Sequence, residues 1–190
     1  MRSILISFLF TLFWGTAMSQ FNVHTKANDD YYEGEYLRFD NHSYRDNIKT
    51  VMLHPQGWPL ALPIITIGED QPMELHFDVL DSTLGNYMYT IIHCDYDWTQ
   101  SDLDKQEYLD GPFEDYLTEY DYSRNTYQRF IHYTLEIPNF TTRITKSGNY
   151  LIKVFEEGDE NLVILTRRFC VVESQSPVSV NVNVHQATRV

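Results

Sequence analysis

His93 and Cys94 stand side by side in Tyr87–Gly111, YMYTIIHCDYDWTQSDLDKQEYLDG, the stretch of this chain richest in side chains able to hold a proton, a metal or a nucleophile. An imidazole touching a thiol would be a nucleophile with its base. Neighbours along a strand point to opposite faces, however, so these two side chains cannot meet. Directly after them, Asp95, Asp97, Thr99 and Ser101 alternate in the manner of a calcium loop. The turn glycine of such a loop is missing, and its twelfth position is Gln106, with Glu107 one place late. The other reading is a loop tied by its own side chain–backbone hydrogen bonds. Elsewhere the chain has no Gly-rich phosphate loop, no Cys/His metal spacing and no G-x-S-x-G elbow. Carboxylates are abundant, yet no pair is placed as the two acids of a glycosidase must be. No catalytic residue, metal ligand or cofactor is therefore assigned, and no small-molecule substrate is expected.

These residues must be carried by strands. Tyr87, Met88, Tyr89, Ile91 and Ile92 are the β-branched and aromatic types that suit a pleated surface. The chain leaves that strand at Asp95 and crosses Trp98. Thr99 or Ser101 then serves as N-cap for one helical turn through Asp102, Leu103 and Asp104, and Asp110-Gly111-Pro112 closes the loop. Met73–Leu80 alternates with Met73, Leu75, Phe77 and Val79 on one face, leaving His76 on the solvated face. The turn Asp81–Asn86 would return the Tyr87 strand antiparallel to it. Arg129–Ile137 repeats the pattern with Ile131, Tyr133, Leu135 and Ile137 inward. Shorter strands are expected at Tyr36–Phe39, Lys49–His54 and Ile64–Ile67, the last at an edge. A turn at Lys146–Asn149 leads into Tyr150–Phe155, and an acidic tip at Glu156–Glu160 leads into Val163–Val172. Of Arg167 and Arg168, one faces solvent while the other seeks a carboxylate. This is an all-β chain: an antiparallel two-sheet sandwich, immunoglobulin-like, with one helical turn in a long loop.

Trp58 lies between prolines and a glycine, which excludes a central strand there. Phe113–Thr126 sets Phe113, Tyr116, Tyr120 and Tyr122 among acids with no clean period. With Trp98, these aromatics are the candidate interaction loops, able to dock a protein or stack on sugars. Trp98 is expected to pack down onto the sandwich while the acids of Asp102–Asp110 stay solvated.

A net charge of −13 opposes binding to nucleic acid, whose phosphates need a basic surface. It equally disfavours an anionic membrane surface and would steer the chain towards a basic patch on a partner. Arg2, the apolar run Ile4–Trp14 and the small residues of Ala17-Met18-Ser19 read as residues 1–19 of a cleaved signal peptide. The mature chain is then exported, with no inserted segment of its own. Residues 20–32 read as a flexible arm, 33–173 as the sandwich and 174–177 as a linker. Residues 178–190, where Val178, Val180, Val182 and Val184 alternate, read as the start of a truncated second domain. Two cysteines in an exported chain leave two readings open: a disulfide between Cys94 and Cys170, both in expected strands, or two small buried hydrophobes.

Several ordered motifs also carry a resemblance. His93-Cys94-Asp95, Trp98, Ser101-Asp102-Leu103 and Glu107–Gly111 are followed by Ser123–Thr126, Pro138-Asn139, Ser147–Tyr150 and Arg167-Arg168-Phe169. Together they resemble the first domain of the type IX secretion system plug proteins, over roughly Tyr31 to Val172. The resemblance implies a periplasmic protein, peripheral to the outer membrane, that docks on and seals the periplasmic end of a large translocon barrel, without cofactor or turnover. The alternative is a carbohydrate-binding module built on the loop tryptophans and tyrosines.

Overall fold

The structure is a computed structural model and describes residues 36–69 and 71–173. The expected signal segment 1–19, arm 20–32, linker 174–177 and valine strand 178–190 lie outside the described residues. Among the described residues the chain runs β1 (His42–Ser43), β2 (Ile48–Pro55), β3 (Ile64–Thr66), β4 (Met73–Val79) and β5 (Tyr87–Cys94). A helical turn α1 (Lys105–Tyr108) precedes β6 (Leu109–Asp110), β7 (Glu114–Tyr116) and β8 (Glu119–Tyr122). Then follow β9 (Ile131–Ile137), β10 (Arg143–Ile144), β11 (Gly148–Glu156) and β12 (Asp159–Val172).

Strict alternation builds the first sheet. Met73, Leu75, Phe77 and Val79 of β4 and Ile131, Tyr133, Leu135 and Ile137 of β9 are all buried. The antiparallel register sets Phe77 opposite Tyr133 and Leu75 opposite Leu135, so both apolar rows share one face. With β2 and β8 at the edges, the order is β2-β4-β9-β8. The second sheet has the order β1-β12-β11-β5-β7, and β3 adds to β12 in parallel. Tyr89 and Ile91 of β5, Tyr150, Ile152 and Val154 of β11, and Leu165, Phe169 and Val171 of β12 meet the first sheet in one core. Phe77 and Tyr133 stack with ring centres 5.1 Å apart, and Tyr87 meets both edge to face at 6.2 and 5.1 Å. Such pairs add roughly 0.5–1.5 kcal/mol each beyond the area they bury. A ribbon of β6 and β10 sends Leu109 and Ile144 into the same core.

β5 and β11 are covered on both faces, which is why they read as apolar runs without a period. On the outer side, Ile92, Cys94 and Leu151 are covered by Leu37, Phe39 and Trp98. This cover corrects the expected first strand. Tyr36–Phe39 is irregular, and its neighbourhood is fastened by side chains of β12 instead of by a ladder. Arg168 Nε donates to the Phe39 carbonyl at 2.6 Å, Thr166 Oγ1 to that of Asp40 at 2.8 Å and Arg167 to that of His42 at 3.1 Å. Pairing falls to His42–Ser43. Neither arginine reaches a carboxylate among the described residues: Arg167 and Arg168 hold main-chain carbonyls instead.

The expected hairpin of β4 with β5 does not form, because the chain crosses between sheets after Val79. β5 pairs with β11 and β7, and Phe77 and Tyr87 face each other across the core. Of the two readings left open for the cysteines, the structure has no bridge: Cys94 and Cys170 are free thiols. Both stand opposite Asn149, one on each side of β11. Two strand spacings put their Cα atoms roughly 10 Å apart, beyond the reach of an S–S bond. Asn149 Oδ1 fills the gap, accepting from the Cys170 thiol at 3.5 Å. Burial pushes the Cys94 thiol up to about 11, so it stays protonated and unreactive.

The helical turn begins later than its expected cap. Asp104 precedes it, and Glu107 reaches back to accept from the Asp104 amide at 3.0 Å. Ser101 is drawn inward instead. At the loop's close, Gly111 has φ +126, and a Cβ there would lie 2.0 Å from the Thr141 carbonyl oxygen. Gly111→Ala is expected to cost about 2 kcal/mol through this contact and the left-handed backbone, read as a lower denaturation midpoint.

Candidate interaction surface

The loop after β5 is a hydrogen-bonded structure. Asp97 Oδ1 accepts from the Thr99 hydroxyl at 2.7 Å and its amide at 3.1 Å, and these bonds hold the Asp97 carboxyl below its usual range. The loop therefore satisfies itself and sends Trp98 back over the sheet. Trp98 adopts φ +67, packs against Ile92, Cys94 and Leu151, and lies 4.3 Å beneath the Arg168 guanidinium. Asp102, Asp104, Glu107 and Asp110 are exposed, as expected.

His93 faces the opposite side from Cys94. Its Nδ1 lies 2.8 Å from Ser101 Oγ, and its ring packs on Tyr108 and Tyr150. A serine hydroxyl on an imidazole is the beginning of a nucleophile. Ser101 is only 8% exposed, however, and its oxygen also accepts from the Leu103 amide, so the pair fastens the loop. Burial lowers the His93 pKa, opposed by the Ser147 backbone. Below about pH 6.5 the unfolded chain takes up a proton that folded His93 refuses until lower pH. Stability is therefore expected to fall as pH drops through that window. Urea midpoints at pH 7.5 and 5.0 should show the loss, and His93→Gln should shrink it.

The sequence's aromatic candidates do not form one surface. β2 and β3 lie at one lateral edge of the sandwich, β7 and β8 at the other. Trp58 sits in the β2–β3 connection and is 65% exposed, next to Leu60 at 99% and Leu62 at 73%. Neither leucine was singled out by sequence, although apolar residues between prolines, where no strand can bury them, were the available signal. Turns hold this loop in shape: the Trp58 amide donates to Pro55, Ala61 to Trp58 and Ile64 to Leu62, at 2.8–3.0 Å. At the far edge, Tyr116, Tyr120 and Tyr122 are exposed, and Tyr116 donates to Glu157 at 2.9 Å. Tyr120 and Tyr122 meet at 87°, so they offer no shared flat platform for a sugar ring. Glu114, Asp115, Glu119 and Asp121 charge both edge strands, which discourages another strand from adding. Phe113 is half-covered, its ring 5.9 Å from Lys105 Nζ.

A groove of about 570 Å³ is lined by Gly68, Glu69, Gln71, Phe140 and Arg143 among others. Its described lining offers one carboxylate and one guanidinium, with no nucleophile. Among the described residues, no helix is long and apolar enough to cross a membrane.

Comparisons with known proteins agree on most of this chain. The sequence model of the family described as "Type 9 secretion system plug protein 1st domain" matches residues 48–173. A crystal structure of a hypothetical protein from Parabacteroides merdae superposes with a TM-score of 0.69 at 32% identity, covering 72% of this chain. The match covers 34% of that protein, so the present chain spans about a third of its length. The Pseudomonas fluorescens alkylpurine DNA glycosylase bound to abasic-site DNA covers 66% of this chain and 30% of its own. At 15% identity and a TM-score of 0.37, that likeness bears on nothing here. No curated protein matches.

Proposed function

Because the chain belongs to the type 9 secretion system plug family, through a first domain at residues 48–173, we propose that it acts as a non-catalytic docking module of that system. In this reading it is exported by residues 1–19 and resides in the periplasm. There it seats on the periplasmic mouth of the large outer-membrane translocon barrel and seals it when no substrate passes. Sandwich 33–173 is the docking unit, and 178–190 leads into a further domain.

One observation carries the reading. The loop bearing Trp58, Leu60 and Leu62 holds its apolar side chains in water on a backbone already fixed by turns. Exposed apolar clusters of this kind mark contact sites, and pre-formed backbone lowers the entropy lost on docking. The net charge of −13 supports steering towards a basic rim around the apolar contact.

A pull-down from solubilised outer membranes, with the chain lacking residues 1–19 as bait, tests this. Recovery of a very large barrel protein is the expected result. Glycan-array binding with no membrane protein recovered would replace docking by the carbohydrate reading. Intact mass of the exported chain should show an N-terminus at Gln20, and retention of Met1 would refute cleavage.

A further inference from the structure

The outward face of the four-stranded sheet gathers histidines that alternation alone would leave in solvent. His54 on β2 stands opposite Glu74 on β4, while Asp78 on β4 stands opposite His132 on β9. His76 lies between Glu74 and Asp78 on the same face of β4, and its ring stacks between those of His54 and His132, each 5.3 Å away. These side chains are shielded: His54 is buried, and those of Glu74, His76 and Asp78 are 17%, 18% and 15% exposed.

Hydrogen bonds tie the cluster together. Asp78 Oδ1 accepts from His132 Nδ1 at 2.7 Å. His76 Nδ1 lies 3.2 Å from His132 Nε2 and 3.3 Å from Thr134 Oγ1, and in the tautomer that donates from Nδ1 to His132 the His76 Nε2 is free for a metal. His76 Nε2 faces Glu74 Oε2 at 3.4 Å. His54 Nδ1 lies 3.0 Å from the Pro55 carbonyl, which can only accept, so its Nε2 is the nitrogen left for a metal. Two imidazoles and a carboxylate thus converge on one point, and a metal there would take the place of the His76–Glu74 contact. One ligating atom from each lies within 4.8 Å of the others.

We propose that His54, Glu74 and His76 form a binding site for a divalent transition metal of the zinc class. Two imidazoles and one carboxylate are a zinc donor set, and calcium or magnesium would ask for oxygens throughout. Two ligands each about 2.0–2.1 Å from one tetrahedral ion stand about 3.4 Å apart, which is the separation of His76 Nε2 and Glu74 Oε2. His132 and Asp78 are positioning residues: through His76 Nδ1 they fix the tautomer and ring orientation that a metal needs. Water would fill the fourth position. The ligands come from two strands paired in space, which is why no metal spacing is visible along the chain.

The test is zinc titration of the untagged, chelator-stripped chain against a chromogenic zinc chelator, with thermal unfolding followed in parallel. One equivalent should bind with micromolar affinity or tighter and raise the melting temperature, while calcium and magnesium do neither. His54→Gln, His76→Gln and Glu74→Gln should each weaken binding at least about tenfold, and His132→Gln by about 10- to 100-fold. His42→Gln and His93→Gln should leave it unchanged. X-ray absorption of the zinc-loaded wild type gives a reading independent of any variant's folding, and should count two imidazoles and no sulfur. Absence of stoichiometric binding, binding that survives His76→Gln and Glu74→Gln, or a sulfur ligand would each overturn the proposal. So would imidazole NMR showing that His76 at neutral pH holds a proton that zinc does not displace.

Discussion

Trp98→Ala is expected to lower the unfolding free energy by about 3 kcal/mol, the cost of removing a large aromatic side chain packed on an apolar cluster. Its indole closes the outer face over Ile92, Cys94 and Leu151, and Arg168 lies on its other side. Removing it exposes that cluster and releases the guanidinium stack, itself worth roughly 0.5–1 kcal/mol. Trp98 holds φ +67, which costs alanine as much as tryptophan, so strain does not enter the difference. Trp98→Gly should for that reason cost no more than Trp98→Ala, although glycine leaves the larger void. Trp58→Ala is the control: its side chain stands in water, and its effect should stay within about 0.5 kcal/mol. Urea denaturation of the three variants with unchanged slopes decides the matter. A Trp98→Ala cost no larger than that of Trp58→Ala would make Trp98 a contact residue instead.

The contrast between the two tryptophans shows where sequence is legible. β4 and β9 each alternate apolar buried residues with polar half-buried ones, so their two-residue period named every inward residue correctly. β5 and β11 are dry on both faces, and a run without a period cannot say which strand lies beside it. The β4–β5 hairpin failed for that reason, and the choice between a Cys94–Cys170 bridge and two free thiols stayed open: each needed the strand order, which places β11 between the cysteines and β4 in the opposite sheet. Tyr36–Phe39 has strand-like composition but lies where Arg168, Thr166 and Arg167 take the neighbouring carbonyls. His76 reads as solvated in one dimension, since only the pairing of β2, β4 and β9 brings His54 and His132 to its sides. Leu60 and Leu62 carry no period at all. Their signal was that prolines deny the segment any strand in which to hide apolar side chains.

On the docking reading proposed above, Trp58→Asp combined with Leu60→Asp is expected to abolish recovery of a barrel protein, a loss of about a hundredfold or more in affinity, with folding unchanged. Contact energies concentrate in a few aromatic and apolar anchors that become fully desolvated, and removing one commonly costs 2 kcal/mol or more. A carboxylate adds to that loss, because docking would have to strip its water without supplying a partner. The folded chain hardly notices either change, since Leu60 is 99% exposed and Trp58 65%. The loop backbone is held by amides to Pro55, Trp58 and Leu62, none of which the substitutions remove. Tyr120→Ala and Tyr122→Ala, on the acidic edge at the other side of the sandwich, serve as the comparison. If the Trp58 loop is the docking face, the tyrosine variants bind within a few-fold of wild type and their sensitivity to salt is the same. If capture instead survives the double substitution and fails with the tyrosines, docking runs through β7 and β8, and the apolar loop contacts something else.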